Sequence, residues 1–408
     1  HRGGTVDGMP GADWAAAVAA ELTAAGHRVL TATTAYGIYD HNLVCAWQRR
    51  PGQVDAQWKI RPKEIILAAG AIERPLVFAD NDRPGVMSAD AALWYLRRHG
   101  VLVGEHIVVA TNNSTAASVA AALAAVGAKV TLADLRPDAV APEGVRLLKG
   151  AVEAVHGRRG VEAVTVAGER IAADALLVSG GWTPTVHLFC QARGKLRYDD
   201  ALAAFVPGDP VVGMTVAGAA NGRLGLDQAL AEGWKAGGGE GASPSAGDAG
   251  ATYAIVPAWP NAAAKGRQWI DLQNDVTLKD VVLAARENFQ SVEHLKRYTT
   301  LGMATDQGKT SNMNGLAAMA AITGRTIEAT GTTTYRPPFV PVPLGVVAGR
   351  RRGQMFNPVR RLVLEDAHRA VAHALRQGGV ERHKLVVEFG GVLVDGGEQG
   401  RAGRDARH

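Results

Sequence analysis

Residues 105–134 read EHIVVATNNSTAASVAAALAAVGAKVTLAD. HIVVA reads as a buried strand. TNNSTAASVAAALAAVG reads as a turn and a helix of small residues ended by Gly127, and AKVTLAD as a second strand closed by an acid. Together they form a βαβ unit of dinucleotide-binding length, with Asp134 where a ribose-binding acid would stand. The fingerprint glycines are missing. Where GxGxxG lets backbone approach a pyrophosphate, this chain has Thr111, Asn112, Asn113, Ser114 and Thr115, so the unit is expected to keep the fold without gripping a dinucleotide.

Outward from this unit the same alternation continues. Residues 14–26, WAAAVAAELTAAG, predict a helix capped by Asp13, and HRVLTAT after it a short strand. Residues 42–48 predict a strand before the turn at Pro51 and Gly52. The apolar run EIILAA, residues 64–69, predicts a strand buried on both faces. Further strands are expected at 161–167, 174–179 and 211–217, the last leading through GAANG into a helix, LDQALAEGWKAG. Strands alternating with helices predict an α/β fold. Residues 237–250 are rich in glycine, serine and alanine and predict a flexible linker. Residues 265–335 turn helical: Thr277 with Asp280 predicts a capped start, Ser291 caps the next helix, and Val282, Ala285, Phe289, Val292 and Leu295 recur at helical spacing. Proline and arginine dominate residues 336–361, an extended connector. The tail offers a helix, AHRAVAHALRQ, and a weak strand, KLVVEF.

Composition narrows the class. The 408 residues are 47% hydrophobic and 20% charged, which excludes a disordered tail and a small disulfide scaffold. Lysine and arginine number 44 against 39 acids, a formal net charge of +5. Five of those cations, Arg350, Arg351, Arg352, Arg360 and Arg361, share one stretch, and without them cations and acids balance at 39 each. The positive charge is therefore a local feature, better suited to a neighbouring domain or subunit than to nucleic acid. Cys45 and Cys190 are too few for a disulfide framework, a zinc knuckle or a cysteine-held cluster, and are expected to be small buried hydrophobes in a reducing cytoplasm. Residues 1–13 lack the apolar core of a secretory signal, and no run is fit to span a bilayer. Starting without methionine in a polar stretch, the chain is expected to be a fragment. The twelve histidines show no metal spacing: His368 and His373 miss the i, i+4 pair, His41 reads as a loop residue and His294 as a surface one.

Two stretches carry a family resemblance. LAAGAIERPLVF with NDRPGVMSADAALWYL resembles the second signature of flavin and pyridine-nucleotide oxidoreductases that have two dinucleotide domains. The run QNDVTLKDVVLAARENFQSVEHLKRYTTLGMATDQGKTSNMNG, continued by GTTTYRPPF and GRRRGQMFNPVRR, resembles the α subunit of heterotetrameric sarcosine oxidase. The likeness runs from about residue 36 to residue 362. It implies an incomplete fold of the pyridine nucleotide-disulfide oxidoreductase type plus a small helical domain. Residues 1–82 would be the remainder of a first dinucleotide-binding domain, 83–204 a second such domain, and 205–236 the return to the first. A linker at 237–264 would lead to the helical domain at 265–335 and a connector at 336–365. Residues 366–408 would be an atypical tail in place of a folate-binding domain, the product of a truncated or frameshifted reading frame. A ubiquitin-like region and the GxGxxG segment would precede residue 1.

The resemblance also implies a function: oxidative demethylation of sarcosine to glycine, with tetrahydrofolate as one-carbon acceptor and β, γ and δ subunits as partners. Substrate is oxidised by flavin held mainly in β, a covalent FMN lies between α and β, and α holds NAD. No acid or base catalyst is expected in this chain, which alone would be inactive and bind NAD weakly or not at all. For NAD the candidates are Ala68, Ala69, Gly70 and Ala71 at a strand end, and Gly218, Ala219 and Ala220 at the start of the last helix. Ala219 stands where flavoproteins usually place an aspartate. For FMN the candidates are Arg297, Thr299 and Thr300, then Thr305, Lys309, Thr310, Ser311 and Asn312 at a helix start, which combine positive charge with hydrogen-bond donors. GKT is no P-loop, because position 303 is methionine and a helix precedes it. Residues 271–277 hold no cysteine, which sets the chain apart from iron-sulfur relatives that oxidise opines, proline or glycine. A subunit of such a dehydrogenase, or a non-catalytic assembly subunit, stands as the alternative.

Overall fold

In the computed structural model, residues 4–247, 252–348 and 363–377 are described. The chain divides into two units, residues 1–347 and 348–408. The first is organised by five parallel strands: β1 (Val86–Ser88), β2 (His106–Thr111), β3 (Lys129–Asp134), β4 (Arg146–Lys149) and β5 (Ala175–Ser179), in the order β4-β3-β2-β5-β1. Helices α1 (Ala89–His99) and α2 (Ala116–Ala124) cover one face. An antiparallel meander, Val152–His156, Ala163–Val166 and Glu169–Ala172, covers the other. Ile107, Val109 and Leu177 turn toward Leu93 and Leu123 of the helices, whereas Val108, Leu176 and Val178 turn toward Val155 and Val164 of the meander. Period-2 alternation with both faces buried is why residues 107–110, IVVA, show no polar position.

The first half is thinner. Thr33–Tyr39, Leu43–Gln48 and Ala56–Ile60 form an antiparallel sheet, and Ile65–Leu67 pairs in parallel with Met214–Val216. The burial expected for EIILAA fails, because Ile66 is 49% exposed on this two-stranded sheet. HRVLTAT is not a strand before Thr33. The N-terminal helix is Gly11–Ala24, with Pro10 rather than Asp13 at its cap, so Asp13 lies in the first turn where a carboxylate suits the positive helix end.

The expected linker is not a free spacer. Asp7 N donates to Ser245 O, and Ser245 N to Asp7 Oδ1, each at 2.8 Å. Residues 254–256 bond to the turn after β2. The helical domain begins with a hairpin, Trp269–Asp271 and Val276–Thr277, followed by α3 (Leu278–Arg286), α4 (Val292–Thr299) and α5 (Asn312–Thr323). Ile270, Val281, Leu295 and Met319 anchor its core. Of the positions read as helical spacing, Ala285, Val292 and Leu295 are buried while Val282 and Phe289 are half-buried. The capping box forms as read, Thr277 N donating to Asp280 Oδ2 at 2.8 Å. Asp280→Ala is therefore expected to cost about 1 kcal/mol, seen as a lower urea midpoint with an unchanged slope.

In the second unit Glu365–Gln377 is helical, with Arg369 bridging to Glu365 at 2.8 Å. The arginines at 350–352, 360 and 361, and KLVVEF, lie outside the described residues. Among the described residues no helix is long and apolar enough to cross a membrane, and no cluster of three metal-type ligands occurs.

Candidate functional site

The two NAD stretches do converge. Strand pairing of 65–67 with 214–216, extended by Ala217 N donating to Leu67 O at 3.0 Å, brings residues 68–71 beside 218–220. Ala68 and Ala69 are exposed, Ala71 begins the short strand Ala71–Glu73, and Gly70 (φ +73°) turns the chain between them. Gly218 (φ +68°) opens a 3-10 turn, Gly218–Asn221, and not the helix, which starts at Leu226. Nor is its amide free for a phosphate: Gly218 N donates to Glu232 Oε2 at 2.7 Å, and Asn221 Nδ2 to Glu232 Oε1 at 2.7 Å. Ala220 is buried and Ala219 half-buried. Glu232 Oε1 also lies 3.5 Å from Arg223 Nε, so both carboxylate oxygens are engaged within the chain.

The second groove is closed by its own side chains. Asn113, fully buried, donates from Nδ2 to Ser179 O and Oγ at 3.0 and 3.1 Å, while its Oδ1 accepts from Thr115 N at 3.1 Å and Thr115 Oγ1 at 2.6 Å. Asn113 thus folds the turn before α2 back onto the end of β5, while Thr115, the residue before the helix, makes no side-chain cap bond. Asp134, also fully buried, bonds Arg136 twice, Nη2 to Oδ2 at 2.7 Å and Nε to Oδ1 at 3.1 Å, and accepts the Arg136 amide. The acid at the ribose position is occupied by a bidentate ion pair.

The FMN candidates lie in the helical domain. Ser311 precedes α5, so residues 305–312 form the loop at a helix start, as read from sequence. Lys309 is half-buried: Nζ donates to Asp306 O at 3.0 Å and Phe339 O at 2.7 Å and lies 4.4 Å from the Phe339 ring centre. Two of its three hydrogens are committed, and burial, opposed by Asp306, lowers its pKa. Thr310 Oγ1 donates to Asp306 Oδ2 at 3.3 Å, and the buried Ser311 Oγ lies 3.5 Å from Asp271 Oδ2. Asp271 ties the hairpin to this loop by accepting Gly302 N at 2.7 Å. Thr305 is exposed, 3.4 Å from Gln273 Oε1. Thr299 caps its own helix on Leu295 O at 2.8 Å, and Thr300 ends it at φ +66°. Arg297 turns back along α4 to Glu293, with Nη1 donating to the carbonyl at 2.8 Å and pairing with Oε2 at 3.1 Å, so it does not join the loop.

Beneath Lys309 lies a cavity of about 30 Å³ that includes Thr183, His187, Asn312 and Tyr335 in its lining. Thr183 Oγ1, His187 Nδ1 and Asn312 Oδ1 are all buried there without a hydrogen-bond partner. The His187 ring lies between Tyr335 and Phe339, at 4.4 and 5.0 Å between centroids. Burial first, and Lys309 second, push its pKa down to about 3, so it is neutral at pH 7.

Residues 265–350 match the sarcosine oxidase A3 domain. The chain is 38% identical over 417 residues to sarcosine oxidase subunit alpha of Corynebacterium sp. (strain U-96), covering 90% of this chain and 43% of that protein. It is 39% identical over 394 residues to the same subunit of Rhizobium meliloti (strain 1021), covering 89% and 40%. The chain is a relative of the sarcosine oxidase α subunit. It spans about two-fifths of the length of these relatives. Its fold is similar to that of L-proline dehydrogenase from P. horikoshii, with a TM-score of 0.59 at 24% identity over 78% of this chain and 64% of that one.

Reading the sequence missed part of what this α-subunit relative builds. Thr183 and His187 follow Gly180 and Gly181, outside every motif quoted for a cofactor, and a lone histidine without metal spacing carries no signal of a buried ring. Tyr335 and Phe339 belong to GTTTYRPPF, which pointed to the domain without indicating that its rings would enclose His187. Cys45 is buried as expected. Cys190 is half-buried, and its burial pushes the thiol up to about 12, leaving it unreactive.

Proposed function

We propose that the chain is an α-type part of a flavin-dependent sarcosine oxidase complex in the cytoplasm. In this reading it contributes to an oxidoreductase that demethylates sarcosine to glycine, with tetrahydrofolate as acceptor and β, γ and δ subunits as partners. The observation that supports this best is 38% identity to a sarcosine oxidase α subunit through nine-tenths of the chain. No residue here is assigned as acid or base. When bound, FMN supplies the redox chemistry, and this chain supplies a wall for it. Residues 305–312 suit that role: Thr310 is exposed, Lys309 keeps one uncommitted hydrogen, and Lys309 with Asn312 at the start of the twelve-residue α5 lines an adjoining cavity with three unpartnered polar atoms. NAD suits residues 68–71 and 218–220 less well, because Glu232 holds the Gly218 amide.

Co-expression with a sarcosine oxidase β subunit tests the reading. The two chains should copurify and oxidise sarcosine, and Lys309→Met should lower incorporated flavin roughly tenfold through loss of a charge-assisted contact. Copurification with full flavin in the variant removes the loop from the flavin site; no complex at all removes the subunit reading. The isolated chain should show no micromolar NAD binding by calorimetry, and a micromolar constant would put the dinucleotide on the first half after all.

A further inference from the structure

In an open α/β sheet, ligands lie in the crevice beyond the carboxyl ends of the central strands. Here that crevice lies beyond β2 and β5, and something already fills it. Residues 254–256 run antiparallel to residues 112–114, with Ile255 bridged to Asn113. Val256 N donates to Asn112 O, and Ser114 N to Ala254 O, each at 2.9 Å. The side chains complete the pairing: Asn112 Nδ2 donates to Val256 O at 2.9 Å, and Ser114 Oγ accepts from Ala254 N at 3.1 Å.

All four bonds are to the main chain of 254–256, and they come from a turn that in a dinucleotide domain would carry glycines and contact phosphate. Asparagine and serine are suited to this, because each offers a short side chain that reads an extended peptide in the manner of an added strand. Gly181, after β5, also lies against the segment. At φ +101°, a methyl group on it would lie 2.6 Å from Ile255 Cδ1 and 3.2 Å from Tyr253 Oη, so the side chains of the segment occupy the space a Cβ would need. The run then continues to Trp259, which lies over the Arg74 guanidinium at 4.8 Å. The hairpin that opens the helical domain is fixed by Asn81, which donates to Trp269 O and accepts Trp269 N, both at 2.8 Å.

We propose that the second dinucleotide crevice is a peptide-binding groove whose ligand is the chain's own segment 253–256. Asn112, Ser114 and Gly181 recognise it, and its role is to dock the helical domain onto the five-stranded sheet while denying the crevice to any dinucleotide. This holds whether or not NAD binds at residues 68–71.

Hydrogen exchange on the whole chain, with and without excess NADH, is the test. The amides of Ser114, Ala254 and Val256 should exchange slowly, and NADH should leave them unchanged. In Asn112→Ala/Ser114→Ala the amides of Ala254 and Val256 should exchange at least about tenfold faster, while those of Val108 and Leu177 in the sheet remain protected and show that the fold persists. Val256→Pro removes one donor from the segment alone and should release Ala254 in the same way. Faster exchange at 254–256 on adding NADH would overturn the proposal by showing a displaceable cover over a nucleotide site. Unchanged exchange in both variants would overturn it by showing that the groove does not hold the segment.

Discussion

Replacing Arg74 by methionine is expected to lower the unfolding free energy of the chain by about 3–5 kcal/mol, one of the two largest effects anticipated here. Arg74 is 1% exposed. Its Nε donates to Gly180 O at 3.0 Å, its Nη1 to Ala203 O at 3.2 Å, and its plane lies against Trp259. One guanidinium thus joins the loop after Ala71–Glu73, the end of β5, the strand Ala204–Pro207 and the segment leading to the helical domain. Methionine restores part of the volume but leaves two buried carbonyls without donors, each costing about 1–3 kcal/mol, and removes a desolvated cation-π contact of about 2 kcal/mol. Burial already pushes the pKa of Arg74 down to about 10, against the favourable pull of Tyr253 and Tyr198. Arg74→Lys keeps the charge but cannot fork to both carbonyls while stacking on Trp259, so it should recover less than half of the loss. Urea unfolding of the three proteins at neutral pH decides the matter; a methionine variant within 1 kcal/mol of the parent would show that the carbonyls find other donors.

Arg74 also shows where the sequence stops informing. It lies inside LAAGAIERPLVF, a stretch legible as a motif, yet charge in a sequence reads as surface until the fold shows a cation with carbonyls and a ring around it. The βαβ unit was legible because burial on both faces of β2 leaves only apolar residues from Ile107 to Ala110, a pattern that survives without tertiary knowledge. The capping box at Thr277 and Asp280 was legible for the same reason, since both partners are local. Strand reading failed at residues 27–32, and at Ile66 the strand formed but its expected burial did not, because its two-stranded sheet has no second layer to cover it. The linker reading failed differently. Composition at 237–250 reports how freely the backbone could move, but not the bonds from Ser245 to Asp7, and the bonds that fix 254–256 beyond it run to main chain and so leave no mark on that segment's own residue types.

The candidate sites divide along the same line. Proximity of 68–71 to 218–220 follows from the parallel pairing of adjacent strands, and topology alone anticipates it. Glu232, fourteen residues from Gly218, takes the amide that topology would leave to a phosphate. The loop 305–312 was placed at a helix start by its polar run before GLAAMAA. Its electrostatics were not, because Asp306, Phe339 and the cavity below decide how much of the Lys309 charge reaches solvent.

That cavity leads to the second large effect, a loss of stability in acid that one histidine controls. His187 is 5% exposed, ringed by Tyr335 and Phe339, and carries an unpartnered Nδ1. Burial, with Lys309 adding like-charge repulsion, lowers its pKa from 6.5 to about 3. Between those values the unfolded chain binds a proton that the folded chain refuses, so stability rises with pH across the window and is lost as pH falls below 6.5. At about 1.36 kcal/mol per pH unit, the loss reaches on the order of 4 kcal/mol near pH 3. His187→Phe keeps a ring between the two aromatics and removes the titration. At pH 7 it should lie within about 1 kcal/mol of the parent, since an unpartnered buried nitrogen leaves with the imidazole. Carboxylates elsewhere titrate alike in both proteins and cancel in the difference. The gap between the two unfolding free energies should therefore open steadily in favour of phenylalanine from pH 6.5 downward. Two curves that stay parallel through that window would mean that protonated His187 finds solvent or a partner in the folded chain, and that the cavity opens when it does.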